Sequence, residues 1–184
     1  MAGQILGLGE YGGYIVDQLT RVGKYAYGFA IDTDVMRLER LNNIPKERRL
    51  LILGNNNGES KYCDMNMNNP QVHTLDTFAD DHTTLVLGPD EGALFAIKCI
   101  TDDSRRLNSW KYVIRVPSLS EIYETTLFKS IESFVGSKNV IKIESEEVMK
   151  TRGSRNTSTK SLCNLVDKAV MESTIKHSPH AGLS

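Results

Sequence analysis

Cysteine is scarce in this chain of 184 residues. Cys63, Cys99 and Cys163 are the three present, they lie far apart in the sequence, and no C-x-x-C pair occurs. Neither a zinc site of the usual spacing nor a disulfide framework is therefore expected. Isolated thiols are typical of proteins from a reducing compartment, so we expect a cytoplasmic protein.

Long apolar runs and blocks of basic residues are missing as well. No segment approaches the roughly 20 apolar residues of a membrane-spanning helix, and Glu10 interrupts the apolar start. Neither membrane insertion nor a signal peptide is therefore expected. A net charge of −1 gives no electrostatic footprint for nucleic acid. A hydrophobic content of 40% at this length predicts one globular domain with a full core.

What the chain does contain is a glycine-rich turn near its start. An apolar pair, Ile5-Leu6, leads into G-L-G-E-Y-G-G at 7–13, an amphipathic helical pattern follows, and a second apolar strand ends at Asp32. Strand, glycine loop, helix, strand and acid are typical of the opening of a nucleotide-binding α/β domain. Glycines let the backbone approach a phosphate, the helix start offers N–H groups and a positive dipole end, and the acid can meet a ribose hydroxyl.

Two questions stay open at this stretch. A glycine turn that only packs strand against helix is the alternative interpretation, and the pattern does not separate a dinucleotide from GTP or ATP. The candidate nucleotide-binding residues here are Gly7, Gly9, Glu10, Tyr11, Gly12, Gly13 and Asp32.

Further strands and helices alternate along the chain. Apolar or β-branched runs predict strands over 50–53, 83–87, 111–116 and 139–143, and helical patterns predict helices over 93–102, 118–135 and 162–175. We expect loops over 54–58 and over the Asn/Met-rich 59–70, the latter with one broken helix. The alternation predicts a three-layer, Rossmann-like, mostly parallel sheet with helices on both faces. Residues 1–176 would form this single domain and 177–184 a flexible tail.

Taken together, the loops resemble those of the tubulin/FtsZ superfamily, the archaeal FtsZ-like members most of all. The 7–13 loop resembles the first phosphate loop of that family, and I-D-T-D at 31–34 resembles the end of its second strand. N-I-P-K-E-R-R-L-L-I at 43–52 resembles the run before its third loop, which here would be 54–61. The resemblance implies that Glu121 contacts the ribose and Asp167 the guanine base. It also implies GTP or GDP, with Mg²⁺, as ligands, and self-association or a filament partner.

The signature loop of the family is degenerate here. Its G-G-G-T-G-[ST]-G is replaced by Gly88-Pro89-Asp90-Glu91-Gly92, in which Gly88 and Gly92 remain as candidate nucleotide-binding residues. Pro89 has no N–H to donate, and two carboxylates take the place where phosphate oxygens would sit. The family's ribose arginine and guanine-stacking aromatic are replaced by Thr125 and Cys163. The chain also ends at Ser184, about where the hydrolysis loop and the second domain would begin. We therefore assign no catalytic and no metal-binding residue, and expect a scaffold or altered ligand choice over GTP hydrolysis.

Two further functions fit the same fold class. The 7–34 segment resembles the NAD-sensing regulatory domains of potassium transport, although the 34–83 segment is longer than such a module needs. A ligand-free interaction scaffold is the third hypothesis, with 63–69 as a surface for partners, although a mobile loop is the simpler interpretation of that segment. His73 and His82, with the acids between them, are better interpreted as solvated loop residues than as a metal site.

Overall fold

The chain forms one eight-stranded sheet in a computed structural model that describes residues 2–23, 25–56, 59–74, 83–88, 90–103, 110–115, 140–142, 164 and 168. The strands are β1 (Ala2–Leu8), β2 (Tyr25–Asp32), β3 (Arg49–Asn56), β4 (Glu59–Asp64), β5 (Val72–His73), β6 (Thr83–Leu87), β7 (Trp110–Arg115) and β8 (Val140–Lys142). The helices are α1 (Gly9–Val22), α2 (Val35–Glu39) and α3 (Glu91–Asp103), with a 3-10 turn at Lys46–Arg48.

The order of strands across the sheet creates a crevice beside β1. Spatially the order is β5-β4-β3-β2-β1-β6-β7-β8. Six of these strands are parallel, and β4 and β5 pair antiparallel at one edge. Leu8 pairs with Ile31 of β2 on one side and with Leu87 of β6 on the other. Successive strands are added on one side of β1 up to β3, and from β6 onward they are added on its other side. In such sheets, ligands bind at the carboxyl ends of the strands at this switch point.

Two apolar layers cover the sheet, one on each face. Alternating side chains of β1 divide between them, because successive residues of a strand point to opposite faces. Ile5 joins the layer with α1, whereas Leu6 and Leu8 join the layer with α3. The predicted Rossmann-like α/β class with helices on both faces is confirmed. The α1 layer contains Ile5, Ile15, Val16, Leu19, Ala30, Leu38, Leu41, Ile44, Val86 and Ile114.

A buried carboxylate fixes the segment between α2 and β3 to α1. Asp17 is 2% exposed and accepts hydrogen bonds from the backbone N–H groups of Asn42, Asn43 and Ile44 at 3.3, 2.8 and 2.9 Å. The side-chain amide of Asn43 donates a fourth, at 3.0 Å. Arg49 closes the same turn by donating to the carbonyl oxygens of Ile44 and Leu38 at 2.7 and 3.3 Å. These bonds hold the segment after α2 against the middle of α1.

The prediction of loops over 54–58 and 59–70 was wrong for residues 54–56 and 59–64, whereas residues 65–70 form no helix or strand, which agrees with the predicted loop but not with its broken helix. Residues 54–56 belong to β3 and 59–64 form β4, so the chain makes an antiparallel pair with Gly54 opposite Lys61. The ladder shifts register between Ile52 and Gly54, and Gly54 has φ +112°, as expected of glycine at a bulge. The run before β3 forms a 3-10 turn. The pattern Val35, Met36, Leu38, Leu41 predicts a short helix that stops near Asn43, but α2 ends earlier, at Glu39.

Some predicted elements agree only in part or lie outside the described residues. Helix α3 begins at Glu91, two residues earlier than predicted. Four segments lie outside the described residues: the predicted helix over 118–135, residues 151–159, most of the predicted helix over 162–175 and the tail 177–184. So do Pro89 and the two candidate nucleoside contacts, Glu121 and Asp167.

Candidate functional site

The glycines predicted to form a loop at 7–13 lie instead at the end of β1 and in the first turns of α1, and they form the floor of the crevice by close packing of backbone on backbone. A Cβ at Gly7 would overlap the carbonyl oxygen of Gly12, and a Cβ at Gly12 would overlap the carbonyl oxygen of Val86 in β6. Gly88, directly after β6, leaves no room for a Cβ beside Tyr11. These three glycines therefore bring α1 against the ends of β1 and β6, which is the packing role that the sequence left open.

Gly9 starts α1 in a conformation that favours glycine. Its φ is +73°, in the left-handed region. The preceding Leu8 provides no side-chain cap, so the first N–H groups of α1 need partners from elsewhere in the fold. A Cβ at Gly9 would overlap Oδ2 of Asp90 and come within 2.5 Å of the backbone nitrogen of Ala93. The start of α1 thus meets the start of α3.

Asp90 lies between these two helix starts. Its Oδ2 accepts hydrogen bonds from the N–H of Glu10 in α1 at 3.0 Å and from the N–H of Ala93 in α3 at 3.2 Å. The carbonyl oxygen of Asp90 accepts from Leu94 N–H at 3.1 Å, so this residue also caps α3. Its other carboxylate oxygen, Oδ1, is buried and has no hydrogen-bond partner among the described residues.

Asp32 ends β2 on the same side of the crevice. It is 1% exposed, and its Oδ1 accepts from Thr33 N–H at 2.7 Å. A Cβ at Gly92 would lie 2.8 Å from Oδ1 of Asp32 and 3.2 Å from Oδ2 of Asp90, so the two carboxylates flank Gly92. Burial raises the pKa of Asp32, and the charge of Asp90 raises it further, while the Thr33 N–H and Arg37 act in the opposite direction.

Among the described residues, Arg37 of α2 is the basic side chain that pairs with the acids of the crevice. Its guanidinium lies 3.7 Å from Asp32, 3.8 Å from Glu10 and 3.6 Å from Asp34. One arginine thus faces three carboxylates at distances at the long end for ion pairs. The local field at the crevice is therefore set mainly by negative charge.

A cleft of about 330 Å³ opens beside these residues, between α1 and α2. Tyr11 and Tyr14 are partly exposed on its α1 side. Its volume is at the small end of the range for small-molecule sites. The residues that line it are Gly9, Glu10, Tyr11, Gly13, Tyr14, Asp32, Arg37, Leu38, Arg40 and Leu41.

Most predicted site residues meet at this crevice. Nine of them surround the crevice or the cleft: Gly7, Gly9, Glu10, Tyr11, Gly12, Gly13, Asp32, Gly88 and Gly92. Sequence reasoning missed Tyr14, Arg37 and Arg40, and it found no basic residue in the loops that offsets the acids. Arg37 lies three residues after Asp34, the residue that caps α2. That spacing, one helical turn past the strand end, is the signal that points to it.

The Asn/Met-rich segment 63–69 lies at the antiparallel edge of the sheet, where Asp64 closes the loop that connects β4 to β5. Its Oδ1 accepts from the N–H groups of Asn66 and Gln71 at 3.1 and 3.2 Å. His73 Nε2 lies 2.9 Å from Oδ2 of the same carboxylate. Burial alone would raise the pKa of Asp64, but these hydrogen bonds and the charge of His73 hold it below its usual range.

Neither a metal nor a phosphate group fits the crevice well as it stands. Within the described part of the chain, no group of three or more His, Cys, Asp or Glu side chains is placed to hold a metal ion. The N–H groups of Glu10 and Ala93, which would face a phosphate, already donate to the Asp90 carboxylate. A phosphate placed there would meet like charge from Asp90 and Asp32.

Among the residues that the structure describes, no helix is long and apolar enough to cross a membrane.

Comparison with known proteins supports the fold. No protein-family model and no curated protein matches the sequence. Among solved structures, the chain is similar to TubZ of Bacillus thuringiensis serovar israelensis, crystallised as a GTPγS-form protofilament. The TM-score is 0.57 at 14% identity, over 93% of this chain and 56% of the TubZ chain. At that identity the likeness shows the fold alone. The domain has a tubulin/FtsZ-type α/β fold and spans little more than half of the TubZ chain.

Proposed function

We propose that this chain is a reduced tubulin/FtsZ-like protein whose guanine-nucleotide site is vestigial. In this proposal it binds GTP and GDP weakly, does not hydrolyse GTP and acts by self-association. The observation that carries the proposal is the position of Asp90. Its carboxylate accepts the N–H groups of both helix starts at the switch point, where nucleotide phosphates bind in folds of this kind.

Nucleotide phosphates are disfavoured at this site for two physical reasons. A phosphate has to replace a carboxylate that already accepts from Glu10 and Ala93. It also approaches the buried Asp32, which is paired at 3.7 Å with a single arginine. Two unit charges about 4 Å apart at a protein surface interact by roughly 4 kcal/mol, which is a large fraction of a nucleotide's binding free energy.

Self-association is supported by the structural comparison. TubZ, which shares the fold, was crystallised as a protofilament. Sedimentation velocity over a range of protein concentrations, with and without GTP, measures this property directly. We expect assemblies whose size rises with protein concentration and does not depend on GTP. A monomer at every concentration would refute this part of the proposal.

The nucleotide part is tested by a thermal-shift screen of the purified protein with GTP, GDP, ATP, NAD⁺ and NADH, with and without Mg²⁺. A ligand at 100 times its dissociation constant stabilises by about 2.7 kcal/mol, or a few degrees for a domain of this size. We expect no shift of that size at millimolar GTP or GDP, and no release of phosphate from GTP. A clear shift at micromolar GTP, or steady phosphate release, would show that the site is functional.

NAD binding is the second candidate, and the position of Asp32 favours it. An acid at the end of the second strand holds the ribose of dinucleotides in sheets of this order. Asp32 occupies that position and lines the cleft between α1 and α2. The screen separates the two candidates, because a response to NAD⁺ or NADH alone would favour the dinucleotide.

A further inference from the structure

Asp90 makes one contact more than the capping of its own helix requires. Capping of α3 is satisfied by the N–H of Ala93, and the backbone of Asp90 accepts the N–H of Leu94. The additional bond from Glu10 N–H reaches across 80 residues to the start of α1. Since α1 has no cap of its own at Leu8, the Asp90 carboxylate serves both helix starts at once.

The surroundings of this carboxylate are shaped to hold it. Only a glycine at position 9 leaves room for its Oδ2, because any Cβ there would overlap that oxygen. The second oxygen, Oδ1, is buried without a hydrogen-bond partner among the described residues. Arg37, the basic residue paired with acids at the crevice, already has Glu10, Asp32 and Asp34 as partners. At the two helix starts, the place of an external anion is therefore taken by a carboxylate of the chain itself.

We infer that Asp90 is the residue that determines which ligands this site accepts, because its carboxylate occupies the place of a phosphate. This inference rests on the proposed vestigial site and names its cause. In the native chain the Glu10 and Ala93 N–H groups are satisfied internally, so the site binds phosphoanhydrides such as pyrophosphate or a nucleoside diphosphate only weakly. Replacement of the carboxylate by a cap that serves α3 alone leaves the Glu10 N–H at the start of α1 without an acceptor, and a helix start with a free donor is an anion site by its own geometry.

The test compares four proteins: the native chain, Asp90→Ser, Asp90→Asn and Glu91→Gln. Serine and asparagine are both good helix caps, so α3 keeps its start in either variant. Serine removes the carboxylate, whereas asparagine removes the charge and keeps the volume. Glu91 is exposed in the first turn of α3, so Glu91→Gln removes the same charge beside the site without touching the contact.

The measurement is isothermal titration with pyrophosphate and, separately, with GDP, both without Mg²⁺. We expect Asp90→Ser to bind pyrophosphate at least about tenfold more tightly than the native chain, since a like charge at contact distance is removed. Asp90→Asn should gain less, because its side chain still fills the place, and Glu91→Gln should not gain. In amide NMR spectra recorded during titration with pyrophosphate, the Glu10 N–H resonance should shift in Asp90→Ser and should not shift in Glu91→Gln.

The outcomes separate this inference from the proposed function. If folded Asp90→Ser and Asp90→Asn bind pyrophosphate no better than the native chain, Asp90 does not exclude phosphate. An equal gain in Glu91→Gln would also overturn the inference, because it would show general charge repulsion rather than occupancy. If the native chain binds GDP tightly while Asp90→Ser still gains pyrophosphate affinity, the vestigial site is refuted and the role of Asp90 stands.

Discussion

Within the described residues, three buried carboxylates and the half-buried Asp90 fall into two groups that behave in opposite ways. Asp17 and Asp64 are anchors: each accepts three or more hydrogen bonds from segments that it holds in place. Asp32 and Asp90 lie at the crevice, where they flank Gly92, where the charge of Asp90 helps to raise the pKa of Asp32, and where one oxygen of Asp90 has no partner among the described residues. The comparison shows that burial alone does not decide how a carboxylate behaves.

The pKa values express this difference. For Asp64 the bonds from His73, Asn66 and Gln71 outweigh burial, and the pKa falls below its ordinary value of 3.8. For Asp32 burial dominates, and the pKa rises above the same value. Perturbed acids that lack enough donors are typical of functional sites, whereas satisfied ones are typical of structural nodes. By this criterion Asp32 has the character of a functional-site acid, and Asp17 and Asp64 have that of structural nodes.

The largest expected effect comes from removal of an anchor. Asp17→Ala should lower the free energy of unfolding by about 4 kcal/mol, because four buried or partly buried donors lose their acceptor together. Urea denaturation followed by circular dichroism measures it. Asp17→Asn keeps the volume and one acceptor and should lose about half as much. A loss below about 1 kcal/mol in Asp17→Ala would show that the anchors are not different in kind from the crevice acids.

At the crevice, the backbone of α1 packs closely against the backbone of β6. Gly12→Ala should destabilise the protein by about 3 kcal/mol, since its Cβ would overlap the Val86 carbonyl of β6. The neighbouring Gly13 is the matched control, because a Cβ there would meet Ala30 and Leu41 no closer than 3.7 Å. Gly13→Ala should be neutral or stabilising by up to about 1 kcal/mol, as alanine favours helix. Equal thermal stability of the two variants would contradict the packing role of Gly12.

The second anchor is expected to show its effect through pH. Because the pKa of Asp64 is lowered by folding, its contribution to stability is present above the ordinary carboxyl value of 3.8 and is lost as pH falls through the folded pKa. Asp64→Asn should therefore be about 2 kcal/mol less stable than the native chain at pH 7, with the gap closing in acid. Urea midpoints from pH 7 down to pH 3 measure the gap. A gap that stays constant over this range would mean that the carboxylate charge is not involved.

The smallest effect is expected at the crevice, with the opposite sign. The raised pKa of Asp32 means that its contribution to stability is present below 3.8 and lost as pH rises through the folded pKa. Asp32→Asn should therefore stabilise the protein at pH 7, by less than about 1 kcal/mol, because Arg37 loses a partner at the same time. Asp34→Asn, at an exposed cap that asparagine also fills, is the control and should change little. Destabilisation by Asp32→Asn would place Asp32 with the anchors.

Predictability from sequence differs along the chain for physical reasons. The glycine loop and Asp32 were found because tight turns and strand ends restrict residue type locally. The β3–β4 pair was missed because the buried positions of β4 alternate as Ser60, Tyr62 and Asp64, two of which are polar. A buried acid such as Asp64 breaks the apolar alternation by which its strand would be predicted from sequence. Its hydrogen-bond donors come from the loop and strand that follow, and no local pattern of apolar residues predicts these contacts.

Sequence by itself determined the opening order of strand, glycine-rich turn, helix and strand, the mostly parallel α/β class and the presence of two acids directly after the fourth predicted strand. Only the tertiary structure decided what those acids do. Glu91 is exposed in α3, while Asp90 accepts from a residue 80 positions away. The reason is that β1 and β6 are neighbours in space, and their pairing alone brings the two helix starts within reach of one carboxylate. Local propensity can specify a cap, but the partner across the crevice depends on the order of strands.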